Sequence, residues 1–220
     1  TSILFISLTS GKISGQLQLI LAILIAAGTG VIFSLFHAFA AINMKADQTI
    51  SGTALNMFAP AFAIFVARRI TGTQQIQFTN TFRIASVPVL GDIPVIGNLF
   101  FKNTYITTYI GFAILIISTI VLYYTRFGLR LRSCGEHPQA ADSVGINVYK
   151  MQYAGVIISG ALGGLGGLVF VVPTSTNFNA TVAGYGFLAL AVLIFGQWHP
   201  VKIFGASIFF GLMKTVAATY

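Results

Sequence analysis

The chain has 220 residues, 56% of them hydrophobic and only 7% charged, with a net charge of +8 from 12 Lys and Arg against 4 Asp and Glu. Soluble domains carry about 25% charged residues, so 7% cannot cover a water-facing surface, and a soluble globular fold is excluded. The cations stand at the ends of apolar runs (Arg68, Arg69, Arg126, Arg130, Arg132, Lys150, Lys202) and form no patch, a pattern that anchors membrane helices and argues against nucleic-acid binding.

The chain opens within an apolar run, ILFISL, and closes within another, IFGASIFFGLMKTVAATY. It reads as a single transmembrane domain, 1–220, cut from a longer protein at both ends. The first complete span is 17–42, which is uncharged and includes Gly28 and Gly30; Lys45 and Asp47 close it. The run 50–67 contains Ser51, Gly52, Asn56 and Pro60, and ends at Arg68 and Arg69. Pro60 removes an intrahelical hydrogen bond, so a kink or break is expected there. Residues 70–104 are polar and then interrupted by Pro and Gly, which suggests an ordered loop or a short surface-lying segment.

The cleanest span is 105–124, with Tyr105, Tyr109, Tyr123 and Tyr124 near its ends, where aromatic belts form. The next is 151–172, followed by an uncharged polar loop over 173–184. The apolar stretch 186–195 is shorter than the roughly 20 residues that a helical crossing needs, so it reads as re-entrant or half-crossing. Residues 203–220 begin or complete another span. By the positive-inside rule the connection 126–150, with Arg126, Arg130, Arg132 and Lys150, faces the cytoplasm. The same helix count puts Arg68, Arg69, Arg83 and Lys102 on the outer side, in conflict with that rule.

Two features of the spans point to function. In GVIISGALGGLGG, small residues at Gly155, Ser159, Gly163 and Gly167 share one helix face, and Gly160 with Gly164 forms a second pair; such faces let two helix backbones approach closely in lipid. Asn43, Gln48, Asn56, Asn177 and Asn179 flank or interrupt apolar segments. Polar groups at membrane depth usually face a cavity or a bundle interior, so these are candidates to line a substrate path. Cys134 is the single cysteine, and His37, His137 and His199 are scattered, so neither a disulfide nor a metal site is expected.

The polar island 132–150 holds Cys134 and two of the four carboxylates. Pro138 suits the first turn of a helix and Gly145 its end. A helix of about seven residues, ~10 Å long, is expected between them. It is too short to stand alone, so it must lean on its neighbours.

GLRLRSCGEHPQAADSVGINVYK resembles the cytoplasmic loop of ABC-importer permease subunits, in the branch that serves ribose-type sugars, branched-chain amino acids and nucleosides. DQTISGTALNMFA (47–59), VLGDIPVIGNLFF (89–101), ISGALGGLGG (158–167) and GYGFLALAVLIFGQWHPV (184–201) resemble the simple-sugar and nucleoside permeases in the same order. The resemblance implies an all-α polytopic transmembrane bundle with broken or re-entrant helices and a short cytoplasmic coupling helix. It implies that Arg130, Gly135, Glu136, His137, Pro138, Gln139, Ala140, Ala141, Asp142 and Gly145 dock on a separate ATP-binding subunit. Further implied partners are a second permease chain, usually a different one, an extracytoplasmic substrate-binding protein, and the lipid of a bacterial cytoplasmic membrane. ATP would be bound by the partner subunit, and no cofactor is expected on this chain, which has no GxxxxGK[ST] motif. The implied cargo is a nucleoside or simple sugar. The competing readings are a secondary transporter or channel, which would leave the coupling-like loop unexplained, and a membrane-embedded enzyme. For the latter, Asp47, Asp92, Glu136 and Asp142 form no acid–base cluster within a span.

Overall fold

The computed structural model describes residues 1–9, 14–78, 82–86, 102–174, 177–178, 180–182 and 184–219, with backbone alone at 83–86, 102–104 and 218. In chain order these form α1 (Ser2–Thr9), α2 (Gly15–Ala38) continued by a π turn (Phe39–Asn43), and α3 (Gln48–Thr71). Three short strands follow, β1 (Ile76–Gln77), β2 (Arg83–Ser86) and β3 (Lys102–Tyr105). Then come α4 (Ile106–Tyr124), α5 (Arg126–Glu136), α6 (Pro138–Ser143), α7 (Val148–Thr174), β4 (Asn177–Phe178), α8 (Tyr185–Phe195) and α9 (Pro200–Thr219). Among the described residues, five helices are long and apolar enough to cross a membrane: 15–43, 48–71, 106–124, 148–174 and 200–217. This is the all-α, multi-pass bundle that the composition requires.

Most of each span presents apolar side chains outward, Met57, Ile116 and Leu212 among them. Water would penalise such a surface; lipid tails do not. Residues 50–67 do not break at Pro60, because α3 runs through it without interruption. Neighbouring groups and slight local adjustment make an internal Pro tolerable in a membrane helix.

The segment 70–104 is not simply a loop. β1 pairs antiparallel with β4, Ile76 opposite Phe178. β2 pairs with β3, Arg83 opposite Tyr105. These pairings bring the end of α3, the start of α4, the end of α7 and the start of α8 to one end of the bundle, the strand end. The 19 residues of α4 then carry the chain about 28 Å to α5 and α6 at the other end. The helix count therefore holds, and Arg68 and Arg69 stand opposite α6. The stretch 89–101 and Asn179 lie outside the described residues.

Burial is concentrated at the strand end. Ile3, Ile6, Leu19, Phe78, Phe82, Tyr105 and Val172 belong to one apolar cluster. The buried Gln18 side chain satisfies itself there, its Nε2 donating to the Ile6 carbonyl at 2.7 Å.

α2 packs along α7, and the seam is backbone against backbone. A Cβ on Gly30 would strike the Gly160 carbonyl, one on Gly160 would strike the Ser34 side chain, and one on Gly164 would strike the Ala26 carbonyl. The seam therefore uses Gly160 and Gly164 against Ala26, Gly30 and Ser34. The stripe Gly155, Ser159, Gly163 and Gly167 does not make it: Gly163 and Gly167 have open space where a Cβ would go, and Gly155 faces Leu131 of α5. The two stripes are offset by one residue, about 100° around the helix, so only one can face α2.

Leucine at 164 is expected to force the helices apart, at a cost of about 1–3 kcal/mol or more. Thermal unfolding in detergent should fall clearly for Gly164→Leu and stay near wild type for Gly167→Ala.

Candidate functional site

Two regions are built by this scaffold: an exposed α5–α6 face at the helical end, where the coupling residues are expected, and a cavity among the spans. The α5–α6 face begins where α4 turns sharply into α5. Thr125 Oγ1 donates to the Val121 carbonyl at 2.6 Å and accepts from the Gly128 N–H at 3.2 Å. Gly128 presses on the backbone of Val121 and Leu122, leaving no room for a Cβ. The sequence analysis missed α5. Its signal was the spacing of Phe127, Leu131 and Cys134, an i, i+4, i+7 apolar stripe with Cys134 buried at 5% exposure. Arg130 and Arg132 lie on the exposed side, and the Arg132 guanidinium sits 4.7 Å from the Tyr123 ring centroid.

α6 is the helix expected from Pro138 and Gly145, six residues long with Pro in its first turn. Its end is a Schellman motif: the Ile146 N–H reaches the Ala141 carbonyl at 3.1 Å and the Gly145 N–H reaches the Asp142 carbonyl at 2.9 Å. Gly145 supplies the required left-handed conformation, φ 82°. Ala141, at 3% exposure, faces inward and seats the helix, with Pro138 half-buried beside it. Gln139, Ala140, Asp142, Val144 and Gly145 face out, as do Gly135, Glu136 and His137 before the helix. Ala141 is thus a support, not part of the outward surface.

The polar candidates do not converge. Asn43 accepts from the Tyr153 hydroxyl at 2.5 Å, tying the π turn of α2 to α7. Gln48 borders a cavity of about 490 Å³ at the helical end with His37, Tyr149, Gln152 and Gly155. Asn56 is exposed two turns further along α3, and Asn177 lies on β4 at the strand end. Asp47, which precedes α3, accepts from the Thr49 and Ile50 N–H groups at 2.8 and 3.1 Å. The Ile50 bond and then the Thr49 bonds hold its carboxyl below the ordinary value.

An opening of about 1060 Å³ lies between α7, α8 and α9, with Ser159, Tyr185, Ser207, Lys214 and Thr215 on its mostly apolar wall. Sequence reasoning named only Ser159 among them, and as a packing residue. α8 has 11 residues, about 16 Å of helix, too short for a full crossing as its sequence indicated. It turns back into α9 through Gln197 and Trp198, both at positive φ (52° and 60°). His199 follows, its Nδ1 buried and without a hydrogen-bond partner and its ring 5.1 Å from that of Tyr123. Arg132, Tyr123 and His199 therefore stack in series from α5 to the α8–α9 turn. Among the described residues no group of three or more His, Cys, Asp or Glu side chains is arranged to hold a metal.

A family model described as branched-chain amino acid transport system / permease component matches residues 2–220. The chain belongs to this permease family. It is therefore a multi-pass transport subunit and not an enzyme. It is 47% identical over 219 residues to the guanosine ABC transporter permease protein NupQ of Bacillus subtilis (strain 168), spanning 99% of this chain and 68% of that protein. It is 43% identical over 218 residues to the nucleoside ABC transporter permease protein NupC of Lactococcus lactis subsp. cremoris (strain MG1363), again spanning 99% and 68%. The nucleoside ABC transporter permease protein NupB of the same strain is 30% identical over 105 residues, 47% of this chain and 29% of that one. No solved structure matches.

Two outcomes follow from the caps. Gly145→Val is expected to cost about 1–2 kcal/mol through its left-handed φ, read as faster amide exchange over 138–146 in the intact protein. The Asp47 cap contributes above the ordinary carboxylate pKa and is lost as pH falls through the lowered folded value. Asp47→Asn, which caps without titrating, should abolish the acid-induced loosening of amides 49–52, while Asp47→Ala should loosen them at every pH.

Proposed function

We propose that this chain is the membrane-spanning subunit of an ATP-driven ABC importer that carries nucleosides across a bacterial cytoplasmic membrane. In this reading α6 is the element that a separate ATP-binding subunit moves. The observation that carries it is the mounting of α6: one buried alanine seats it, Pro138 opens it, the Gly145 turn caps its end, and Gln139, Ala140, Asp142 and Val144 stand outward. A helix too short to persist alone is held rigid and offered to a partner.

Orientation is supported by Arg126, Arg130 and Arg132 in the short α4–α7 connection, against the absence of any Lys or Arg from 175–184. The charge bias supports a cytoplasmic α6, although Arg68 and Arg69 run against it, and puts the strand end outside in this reading, where a substrate-binding protein would deliver cargo. The nucleoside assignment is supported by the likeness to the guanosine permease NupQ and the nucleoside permease NupC, and a second, different permease chain by the occurrence of NupC and NupB in one strain. ATP is bound by the partner subunit.

Geometry suggests how a push is transmitted. α6 follows α5 across the single non-helical residue His137, and Arg132 of α5 rests on Tyr123, which rests on His199 at the α8–α9 turn. Displacing α6 therefore loads the hairpin that walls the large cavity, while the α2–α7 seam stays as the fixed support.

The test uses the complete transporter in proteoliposomes. Ala140→Trp with Asp142→Lys alters only the outward face of α6. Nucleoside uptake and cargo-stimulated ATP hydrolysis are expected to fall at least about tenfold, the loss of roughly 1.4 kcal/mol of docking, with unchanged yield and thermal stability. Uptake at the wild-type rate would refute the docking role.

A further inference from the structure

The cavity between α7, α8 and α9 contains a pair of side chains that the coupling reading does not use. The Lys214 ammonium lies 3.3 Å from the centroid of the Tyr185 ring. Lys214 is more than one turn inside the end of α9 at Thr219. Tyr185 opens α8, and its ring stands 4.1 Å, centroid to centroid, from that of Phe170 near the end of α7. The pair therefore marks the strand-end mouth of the cavity, with Ser159, Ser207 and Thr215 on the same wall.

The chemistry of this wall is uneven. The Ser207 and Thr215 hydroxyls donate to the Phe204 and Gly211 carbonyls of their own helix, at 2.7 and 2.9 Å, so their oxygens are left to accept. The ammonium offers three donors and no acceptor, and the Tyr185 ring offers a π face. The complementary solute is a flat ring with an acceptor on its edge and hydroxyl donors attached to it. A nucleoside has these parts: a base that stacks, a carbonyl or ring nitrogen that accepts, and a ribose that donates. A free sugar has no flat π face for Tyr185, and its many hydroxyls would meet mostly apolar wall.

We propose that Tyr185 and Lys214 form the base-recognising element of the transport path. This rests on the nucleoside reading above and assigns that cargo its contacts. With the cavity empty, Lys214 covers the ring by a cation–π contact. Its flexible four-carbon stem lets the ammonium move from the ring face to the edge of an arriving base, which then takes its place on the ring. Both residues act as specificity determinants, and neither takes part in the ATP-driven stroke.

The experiment measures guanosine uptake by the complete transporter in proteoliposomes, with KM and maximal rate separated. Lys214→Met and Tyr185→Leu are each expected to raise KM about tenfold, within the range of base–aromatic stacking and single polar contacts. Maximal rate and ATPase coupling should stay within about twofold. Tyr185→Phe keeps the ring and Lys214→Arg keeps the charge, and both should restore most of the affinity. A pair that merely anchored the bundle at the membrane surface would lower yield and maximal rate without moving KM. Wild-type KM in both Lys214→Met and Tyr185→Leu, in a transporter that does move guanosine, overturns this inference alone. A wild-type transporter that moves no nucleoside overturns the cargo reading and this inference with it.

Discussion

Lipid offers the backbone no hydrogen bonds and offers helices no hydrophobic reason to associate. A bundle in that solvent is held by close packing, and here close packing is provided by the α2–α7 crossing, where Gly30 meets Gly160 and Ala26 meets Gly164 backbone to backbone and the Ser34 side chain rests on Gly160. Much else hangs on this contact. It fixes α7, whose other face forms a cavity wall through Ser159 and Gly163 and whose early turns receive Leu131 of α5 at Gly155. The α5–α6 face and the cavity are thus referred to one pair of helices.

Away from the strand-end cluster, other elements are joined by polar or aromatic contacts. His37 Nδ1 meets Ser51 Oγ at 3.0 Å between α2 and α3. Tyr153 holds Asn43. Phe195 stacks on Phe209 within the α8–α9 hairpin, ring centroids 6.2 Å apart. Contacts of this kind tolerate sliding better than a backbone seam, because a ring or hydroxyl can exchange partners where a glycine crossing can only open. A division into a tight core pair and a compliant hairpin suits a machine in which one part must move against another.

The two-ended character of the molecule has a similar origin. At the strand end, β1–β4 and β2–β3 satisfy backbone groups outside the spans and cover a cluster of buried apolar residues. At the helical end no comparable cluster is seen among the described residues; α5 and α6 are seated by isolated buried positions, Gly128, Cys134 and Ala141. The first arrangement is a cover over the bundle, and the second is a shelf whose outer face is exposed.

The amino-acid sequence determined what local rules can carry: membrane character from the 7% charge, span positions from apolar length, the α6 helix from Pro138 and Gly145, and the shortness of α8. The tertiary structure decided what depends on which surfaces meet. α7 carries two stripes of small residues, and only the position of α2 selects Gly160 and Gly164 over Gly155, Ser159, Gly163 and Gly167. The two-residue ladder of β1 and β4 joins segments about a hundred residues apart, so neither strand has a local pattern to announce it. Asn43, Gln48, Asn56 and Asn177 are alike in composition but take separate places, because polar groups in lipid bond to whatever is near. Ala141 turned inward and Ala140 outward for the same reason: periodicity sets how residues alternate around a helix, but the side that becomes the interior is chosen by the neighbours against which the helix packs.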